Sequence, residues 1–317
     1  MSRVIGFVCD PVEDFKPYKD TTFALMLAAQ ARGWDLVVFG TADLWVQDGI
    51  AHGRGRRVKV TDDRQHWFDW LGAAEPQKLG SLDAILMRSD PPVNAAYIAA
   101  TWVLELAEQQ GTFAVNRPAA LRDYNEKLAT AWFPDFTPPT LFAADMAALR
   151  AFHAEHGDVI YKPIDGMGGR GIFRVKPDGL NLGSVIEQLS EYGTQMITAQ
   201  KYLPAISEGD TRVLIVAGQP IDYGLARIPQ AGETRGNLAA GGRGEARPLS
   251  PAQYRIAEVL GPKLLAKGLW FVGLDVIGEH LTEINITSPT CAREIDAAFG
   301  TDIAGKLMQA IDTHLSR

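Results

Sequence analysis

The sequence has little cysteine and no excess of positive charge. Only Cys9 and Cys291 are cysteines among 317 residues, which is too few for a disulfide framework or a zinc site built on several thiolates. Thirty-one Lys and Arg stand against 38 Asp and Glu, a net charge of −7. A protein that tracks nucleic-acid phosphates usually carries an excess of Lys and Arg, so this class is disfavoured.

Long apolar runs are also missing. The N-terminus has one early arginine and about six apolar residues before Asp10, whereas a secretory signal needs roughly 7–15 apolar residues and a cleavage site. No run approaches the roughly 18 apolar residues that span a membrane. We therefore expect a soluble cytoplasmic protein with neither a membrane nor a nucleic-acid partner.

The composition that remains is that of a folded protein, with 46% hydrophobic and 22% charged residues. Its length predicts two or three domains. The first third alternates strand-like and helix-like segments, which is typical of a mostly parallel sheet covered by helices. The predicted helices are Thr21–Ala31, with Asp20 as N-cap, and Ala95–Gln109. The predicted strands are Arg3–Cys9, Asp35–Phe39, Asp83–Met87 and Phe113–Asn116.

The remainder has strands joined directly by short turns, a pattern of antiparallel pairs. Strands at 158–163 and 172–175 flank a glycine-rich loop, and two hairpins turn at Gly218 and at Gly278-Glu279. We expect an α/β domain followed by an α+β region, and we place the division between residues 122 and 123. The predicted helices of this region are Ser184–Tyr192, Pro251–Lys267 and Asp302–Leu315.

The glycine-rich loop at 166–171 matches the pattern G-x-G-x-x-G. A dinucleotide-binding fold needs a helix after this motif, but a strand-like segment follows here. A glycine loop between two strands can instead fold over a triphosphate and present its N–H groups to phosphate oxygens. Lys162, just before the loop, is a candidate phosphate ligand, and Lys127 is a second one. The alternatives are a hairpin turn without a ligand and a solvated lysine.

Three oxygen-bearing side chains converge on one predicted hairpin. Glu283 and Asn285 are two residues apart, so they share one face of a strand. A turn at Gly278-Glu279 would place Asp275 opposite Glu283. Carboxylate and amide oxygens suit Mg²⁺, and a polar strand face turned to solvent is the alternative.

The segment Arg227–Arg247 contains four arginines and five glycines. We expect a mobile basic loop that could close over anionic substrates. An ordinary surface loop is the alternative, and composition does not separate the two.

Several motifs resemble those of the prokaryotic-type glutathione synthetases, which are ATP-grasp ligases, and the resemblance runs end to end. The long glycine-rich segment and the Ser-Pro-Thr segment are the most specific. The matching motifs are Met87-Arg-Ser-Asp-Pro-Pro92, Asn116-Arg-Pro118, Leu121-Arg-Asp123, Asn125-Glu-Lys127, Lys162-Pro-Ile-Asp-Gly-Met-Gly-Gly169, Gln200-Lys-Tyr-Leu-Pro204, Ala226-Arg-Ile-Pro-Gln230, Gly232–Gly244, Thr282-Glu-Ile-Asn285 and Thr287-Ser-Pro-Thr-Cys291.

The resemblance implies a two-lobed ATP-grasp fold after the N-terminal domain, with a central lid at about 130–200 and a C-terminal lobe at about 201–317. The implied ATP-binding residues are Lys127, Lys162, Gly166, Gly168, Gly169, Gly171, Gln200, Lys201, Tyr202, Leu203 and Asp210. The implied Mg²⁺ ligands are Asp275, Glu283 and Asn285, with Mn²⁺ as the alternative ion. The implied catalytic residues are Arg212, Arg227, Arg235 and Asn237, and the implied substrate-binding residues are Arg88, Ser288, Pro289 and Thr290.

The implied reaction joins γ-glutamylcysteine to glycine with ATP through an acyl phosphate, in a homotetramer. Such chemistry needs cations rather than a nucleophilic triad. Three alternatives stay open at this point: another ATP-grasp carboxylate–amine ligase, a non-catalytic ATP-binding protein, and a nicotinamide oxidoreductase.

Overall fold

The computed structural model describes residues 2–230, 232–233, 235–236, 238 and 241–317. These residues form three lobes, each built on one sheet. The strands are β1 Val4–Val8, β2 Asp35–Phe39, β3 Leu44–Gln47, β4 Ile50–Val60, β5 Phe68–Trp70, β6 Glu75–Lys78, β7 Ala84–Met87, β8 Phe113–Val115, β9 Thr140–Ala143, β10 Val159–Pro163, β11 Phe173–Val175, β12 Ile197–Lys201, β13 Asp210–Val216, β14 Gln219–Ile228, β15 Arg243–Pro248, β16 Phe271–Ile277 and β17 His280–Asn285. The α-helices are α1 Thr21–Ala31, α2 Ala95–Gln109, α3 Pro118–Asp123, α4 Met146–His156, α5 Leu182–Leu189, α6 Pro251–Leu265, α7 Ala292–Phe299 and α8 Ile303–Leu315.

The N-terminal sheet contains the predicted parallel strands in the order β2-β1-β7-β8. The helix predicted at Thr21–Ala31 is confirmed as α1, and the Asp20 side chain accepts a hydrogen bond from the Phe23 N–H. A helix whose first turn is capped in this way is identifiable from sequence, because the cap satisfies an N–H that has no partner within the helix.

The prediction of a mostly parallel sheet is incomplete, because β4 adds an antiparallel extension. It pairs with β2 and also with β3, β5 and β6. Its buried positions include Gly53 and Gly55, and the Phe39 ring packs so closely on both that a Cβ on either would lie within 3 Å of it. The strand therefore buries backbone against an aromatic ring, and its sequence lacks the apolar alternation that would have indicated it.

The central lobe is a four-stranded antiparallel sheet in the order β11-β10-β12-β9, packed with α4 and α5. This lobe has a small hydrophobic core that is separate from those of the other two lobes. It includes Leu149, Tyr161, Ile186 and Ile197. The other two lobes instead share apolar clusters. A lobe with a separate core can shift as a body relative to its neighbours.

The C-terminal sheet is antiparallel throughout, in the order β15-β14-β13-β16-β17. Both predicted hairpins are confirmed, and the register places Asp275 directly opposite Glu283. The prediction of a loop over the whole of Arg227–Arg247 is wrong at its ends. Arg227 lies inside β14, and Arg243–Pro248 form β15. This strand lies at the sheet edge and consists mainly of charged and small residues, so no apolar alternation marks it.

The helices of the described ranges include none that combines the length and the apolar character needed to cross a bilayer.

Candidate active site

A cavity of about 490 Å³ opens between the three lobes, and most of the predicted site residues line it. These are Lys127, Lys162, Gly166, Gly168, Gly169, Gln200, Lys201, Tyr202, Leu203, Asp210, Arg212, Arg227, Arg235, Asp275, Glu283, Asn285, Ser288 and Thr290. Three others, Arg88, Gly171 and Pro289, are not among its lining residues. Asn237 lies outside the part of the chain that the structure describes.

The two lysines approach the cavity from different elements, and both are buried. Lys127 Nζ donates to the Gly166 carbonyl and to Glu283 Oε1 at 3.1 Å. Burial alone would lower the pKa of Lys127, but the charge of Glu283 and the hydrogen bond to it prevail and raise this pKa. Lys162, on β10, donates to the Thr282 carbonyl at 3.4 Å, and burial lowers its pKa. An anion in the cavity would favour the charged form of Lys162.

The glycine loop joins β10 to β11, which are antiparallel as predicted. Gly168, Gly169 and Gly171 have positive φ angles of 62°, 80° and 68°, a conformation that strongly favours glycine. Gly171 packs toward Pro163 instead of lining the cavity. Since a strand follows the loop, the dinucleotide-binding interpretation of this motif is wrong.

The segment after β12 connects the central lobe to the C-terminal lobe. Gln200 is buried at the end of this strand and donates from Nε2 to Thr140 Oγ1 at 3.0 Å. The Tyr202 ring lies under the Arg174 guanidinium, 3.5 Å from its central carbon. Residues 200–203 line the cavity, and their role as an adenine-binding hinge stays a prediction.

Four charged side chains form a buried network on β13, β14 and β16. Arg212 Nε and Arg227 Nη2 lie 2.6 Å and 2.8 Å from Asp275 oxygens, and Arg227 also lies 2.6 Å from Asp210. Burial would raise the pKa of Asp275, but the two guanidiniums override it and hold this pKa well below its usual range. Burial raises the pKa of Asp210 to about 7, against the opposing charge of Arg227. One Asp210 oxygen, Oδ1, is buried without a hydrogen-bond partner in the described structure.

The predicted metal ligands fit a divalent cation through Glu283 and Asn285. Both belong to β17 and line the cavity, and their carboxylate and amide oxygens are of the kind that Mg²⁺ prefers. Both oxygens of Asp275 contact guanidiniums, so Asp275 is less available than the other two. Within the described ranges no three His, Cys, Asp or Glu side chains form a metal-holding group. A cation here would therefore depend on phosphate oxygens and water as further ligands.

The Ser288–Thr290 segment lies between the cavity, which Ser288 and Thr290 line, and the N-terminal lobe. Arg212 Nη1 approaches Thr290 Oγ1 at 3.5 Å. Arg88 is buried behind this segment and donates to the Pro289 carbonyl at 2.9 Å and to Thr22 Oγ1 at 3.1 Å. The structure thus gives Arg88 a contact that holds the segment against α1. The role of Arg88 in substrate binding stays a prediction.

Arg235 contacts the glycine loop through a hydrogen bond from Nη1 to the Gly169 carbonyl at 3.3 Å. It also pairs with Glu233 at 2.5 Å. The basic segment after β14 therefore reaches the glycine-loop side of the cavity.

Sequence reasoning did not identify several residues that line the cavity, among them Lys16, Asp20, Asp90, Glu126 and Glu294. Only tertiary packing brings the start of α1 next to α7, so nothing in the local sequence indicated that Lys16, Asp20 and Glu294 line the cavity. Asp90 and Glu126 had a signal, because each stands in a motif that carried the resemblance.

The solved structures that resemble this fold are ATP-grasp proteins. D-cycloserine synthetase DcsG has a TM-score of 0.69 at 18% identity, covering 98% of this chain and 99% of that one. The ATP-grasp ligase PsnB, solved with a minimal precursor, Mg and ADP, has a TM-score of 0.63 at 20% identity, covering 99% and 98%. These likenesses show that the chain has the ATP-grasp fold.

The particular family follows from sequence. The model of the prokaryotic glutathione synthetase N-terminal domain matches residues 4–122, and that of the ATP-grasp domain of the same family matches residues 126–300. Glutathione synthetases of Shewanella oneidensis and Photorhabdus laumondii are each 54% identical, over 99% of this chain and 99% of their own lengths. That of Escherichia coli O127:H6 is 53% identical over the same shares. The chain belongs to the prokaryotic glutathione synthetase family.

Proposed function

We propose that this protein joins the cysteinyl carboxylate of γ-glutamylcysteine to the amine of glycine, with ATP converted to ADP and phosphate. The observation that carries the proposal is the 54% identity to curated glutathione synthetases along the whole chain. It is supported by a single cavity that holds Lys127, Lys162, Glu283 and Asn285 together.

The first step transfers the γ-phosphoryl group of ATP to the cysteinyl carboxylate, which gives an acyl phosphate. Lys127 and Lys162 bind phosphate oxygens and stabilise the charge that moves toward the bridging oxygen. The main-chain N–H groups of the glycine loop cover the phosphates. Glu283 and Asn285, with Asp275 as a third candidate ligand, would hold Mg²⁺ or Mn²⁺, which would supply positive charge against the polyphosphate.

The second step forms the peptide bond. The glycine amine, after losing a proton, attacks the acyl carbon, and phosphate leaves. Arg212, Arg227 and Arg235, together with Asn237, are the residues we assign to the reacting carboxylate and phosphoryl group. Closure of the central lobe excludes water, which would otherwise hydrolyse the acyl phosphate.

We further propose that Gln200–Leu203 bind adenine, Asp210 faces the ribose, and Ser288–Thr290 bind the acceptor carboxylate. The domain division at 122/123, a cytoplasmic location and a homotetrameric assembly belong to the same proposal and derive from the family resemblance.

The test is to measure ADP release by the purified protein with ATP and Mg²⁺, with γ-glutamylcysteine and with or without glycine, and to identify the product by mass. We expect full turnover only with all substrates present. Glycine should be used well, alanine and serine poorly and valine hardly at all, because an acceptor pocket excludes larger side chains by steric clash. Equal use of valine and glycine would contradict the proposal and indicate a broader peptide ligase.

A further inference from the structure

Glu126, a residue of another segment, contacts the C-terminal end of β17 on the side that faces away from β16. β17 is the last strand of its sheet and pairs only with β16. On its free side, the Ile284 N–H donates to the Glu126 main-chain carbonyl at 2.8 Å. The Ile286 N–H donates to Glu126 Oε1, also at 2.8 Å. Amides two residues apart on a strand point to the same side, so Glu126 acts in place of a neighbouring strand.

The same carboxylate oxygen also fixes the residue that follows. Thr287 donates to Glu126 Oε1 from its N–H at 3.0 Å and from Oγ1 at 2.9 Å. Glu126 Oε1 thus accepts three hydrogen bonds, from the Ile286 N–H and from the N–H and hydroxyl of Thr287. No lysine or arginine of the described ranges forms an ion pair with Glu126. In the part of the chain that the structure describes, the hydrogen bonds that Glu126 accepts all come from residues 284–287.

The contacts of Glu126 lie next to the residues that we assign to the metal and to the acceptor. Asn285 lies between the two amides that Glu126 holds. Glu283, one residue before them, is held by Lys127, the neighbour of Glu126. Thr287 begins the segment that leads to Ser288–Thr290. Consecutive residues of one turn therefore hold both proposed metal ligands and the start of the proposed acceptor segment.

We propose that Glu126 is a positioning residue, which sets Asn285 and the Thr287–Thr290 segment relative to Lys127 through its hydrogen bonds to the main chain. The inference rests on the proposed function, because it assigns Asn285 to the metal and Thr287–Thr290 to the acceptor. Hydrogen-bond acceptance, and not negative charge, is the property that the role requires.

The test compares Glu126→Ala, Glu126→Gln and the control Glu279→Ala, which removes an exposed carboxylate from the turn of the same hairpin. The measurements are the glycine and γ-glutamylcysteine KM values, kcat, thermal stability, and calorimetric binding of a non-hydrolysable ATP analogue as Mg²⁺ is titrated. For Glu126→Ala we expect the glycine KM and the half-saturating Mg²⁺ concentration to rise about 10-fold, the scale of a modest misplacement of binding groups. The γ-glutamylcysteine KM should change much less.

Glu126→Gln should stay close to the wild type, because its amide oxygen can accept from the same donors. Glu279→Ala should match the wild type in every measurement. The proposal is overturned if Glu126→Ala keeps the wild-type glycine KM and Mg²⁺ requirement. It is also overturned if Glu126→Gln is as impaired as Glu126→Ala, since the charge would then be what matters.

If Glu126→Ala does not fold, Thr287→Val removes one donor and should raise the glycine KM by a smaller factor, while an unchanged KM would contradict the positioning role. If the wild type does not make glutathione, the proposed function fails separately. The Mg²⁺ dependence of nucleotide binding then decides on Glu126 alone.

Discussion

At the scale of single residues, the site is a set of buried charges that balance only in part. Asp275 is held by two arginines, whereas Lys162 reaches only a carbonyl at 3.4 Å. Burying an uncompensated charge is costly. A polyphosphate in the cavity would bring negative charge close to Lys162.

We expect Glu283→Gln to reduce turnover at least about 10²-fold, the scale of removing one electrostatic stabiliser, and also to lower the thermal stability, because buried Lys127 loses its ion-pair partner. The amide keeps the shape of the side chain but loses the charge that holds the metal and pairs with Lys127. The measurement is kcat at saturating Mg²⁺, with Glu279→Gln in the same hairpin as the control. Near-normal turnover would remove Glu283 from the proposed metal site.

Because the pKa of Asp210 is raised, we expect the stability of the protein without ATP and Mg²⁺ to depend on pH. Its pKa in the folded protein is about 7, against about 3.9 in an unfolded chain. Between these values the folded protein keeps a proton that the unfolded chain has lost, so the contribution of Asp210 to stability falls as the pH rises. Asp210→Asn has no such proton. The melting temperature of Asp210→Asn minus that of the wild type should therefore increase from pH 5 to pH 8, and a constant difference would refute the shift.

At the scale of elements, two segments meet over the phosphate side of the cavity. The glycine loop belongs to the central lobe, and the segment between β14 and β15 belongs to the C-terminal lobe. Arg235 joins them by its hydrogen bond to the Gly169 carbonyl. One hydrogen bond of this kind is weak by itself, so both segments should respond to a ligand that fills the space beneath them.

We expect trypsin to cut the free protein after Arg235 early, and ATP with γ-glutamylcysteine to slow this cut several-fold. Gly232 and Gly236 lie close to Arg235 in the sequence. The segment that contains them connects β14 to β15, and these two strands pair with each other. The measurement is the rate of appearance of the two fragments by mass, and cuts in the N-terminal lobe serve as the control. Equal rates with and without substrates would mean that this segment does not cover the site.

At the scale of the whole molecule, the N-terminal and C-terminal lobes pack as one unit. One apolar cluster joins Phe7 and Leu86 to Leu307 and Ile311 of α8, and another brings residues of both lobes together in the same way. Asn116 adds a polar link, because its amide bonds to the main chain of Trp270, Phe271 and Ile286. The central lobe is left as the part that can move.

Asn116→Leu should destabilise the protein by about 3 kcal/mol or more, because an apolar side chain leaves buried main-chain groups unpaired at about 1–3 kcal/mol each. Asn94→Ala is the matched comparison. It removes an amide that caps α2 at the surface and should cost only about 1 kcal/mol. Chemical denaturation of both variants measures the two losses. Equal losses would show that the link between the lobes contributes nothing beyond a helix cap.

Local patterns were sufficient for much of this fold. The cap at Asp20 and the hairpin that sets Asp275 against Glu283 depend on residues close in sequence, so their signals are readable. The strand β4 was missed because Gly53 and Gly55 are buried by the distant Phe39 ring. The strand β15 was missed because it lies at an edge and has no apolar alternation.

The sequence by itself determined the fold class, the glycine loop, the spacing of Glu283 and Asn285 and the family. Tertiary structure alone decided that Arg212 and Arg227 share Asp275, that Arg88 holds Pro289 from behind the cavity wall, and that Glu126 covers the edge of β17. The contacts of Arg212 with Asp275, of Glu126 with Ile286 and of Arg88 with Pro289 join residues 63, 160 and 201 positions apart. Periodicity and capping report only on neighbours along the chain, whereas a buried hydrogen bond depends on which distant groups the packed lobes bring within about 3 Å.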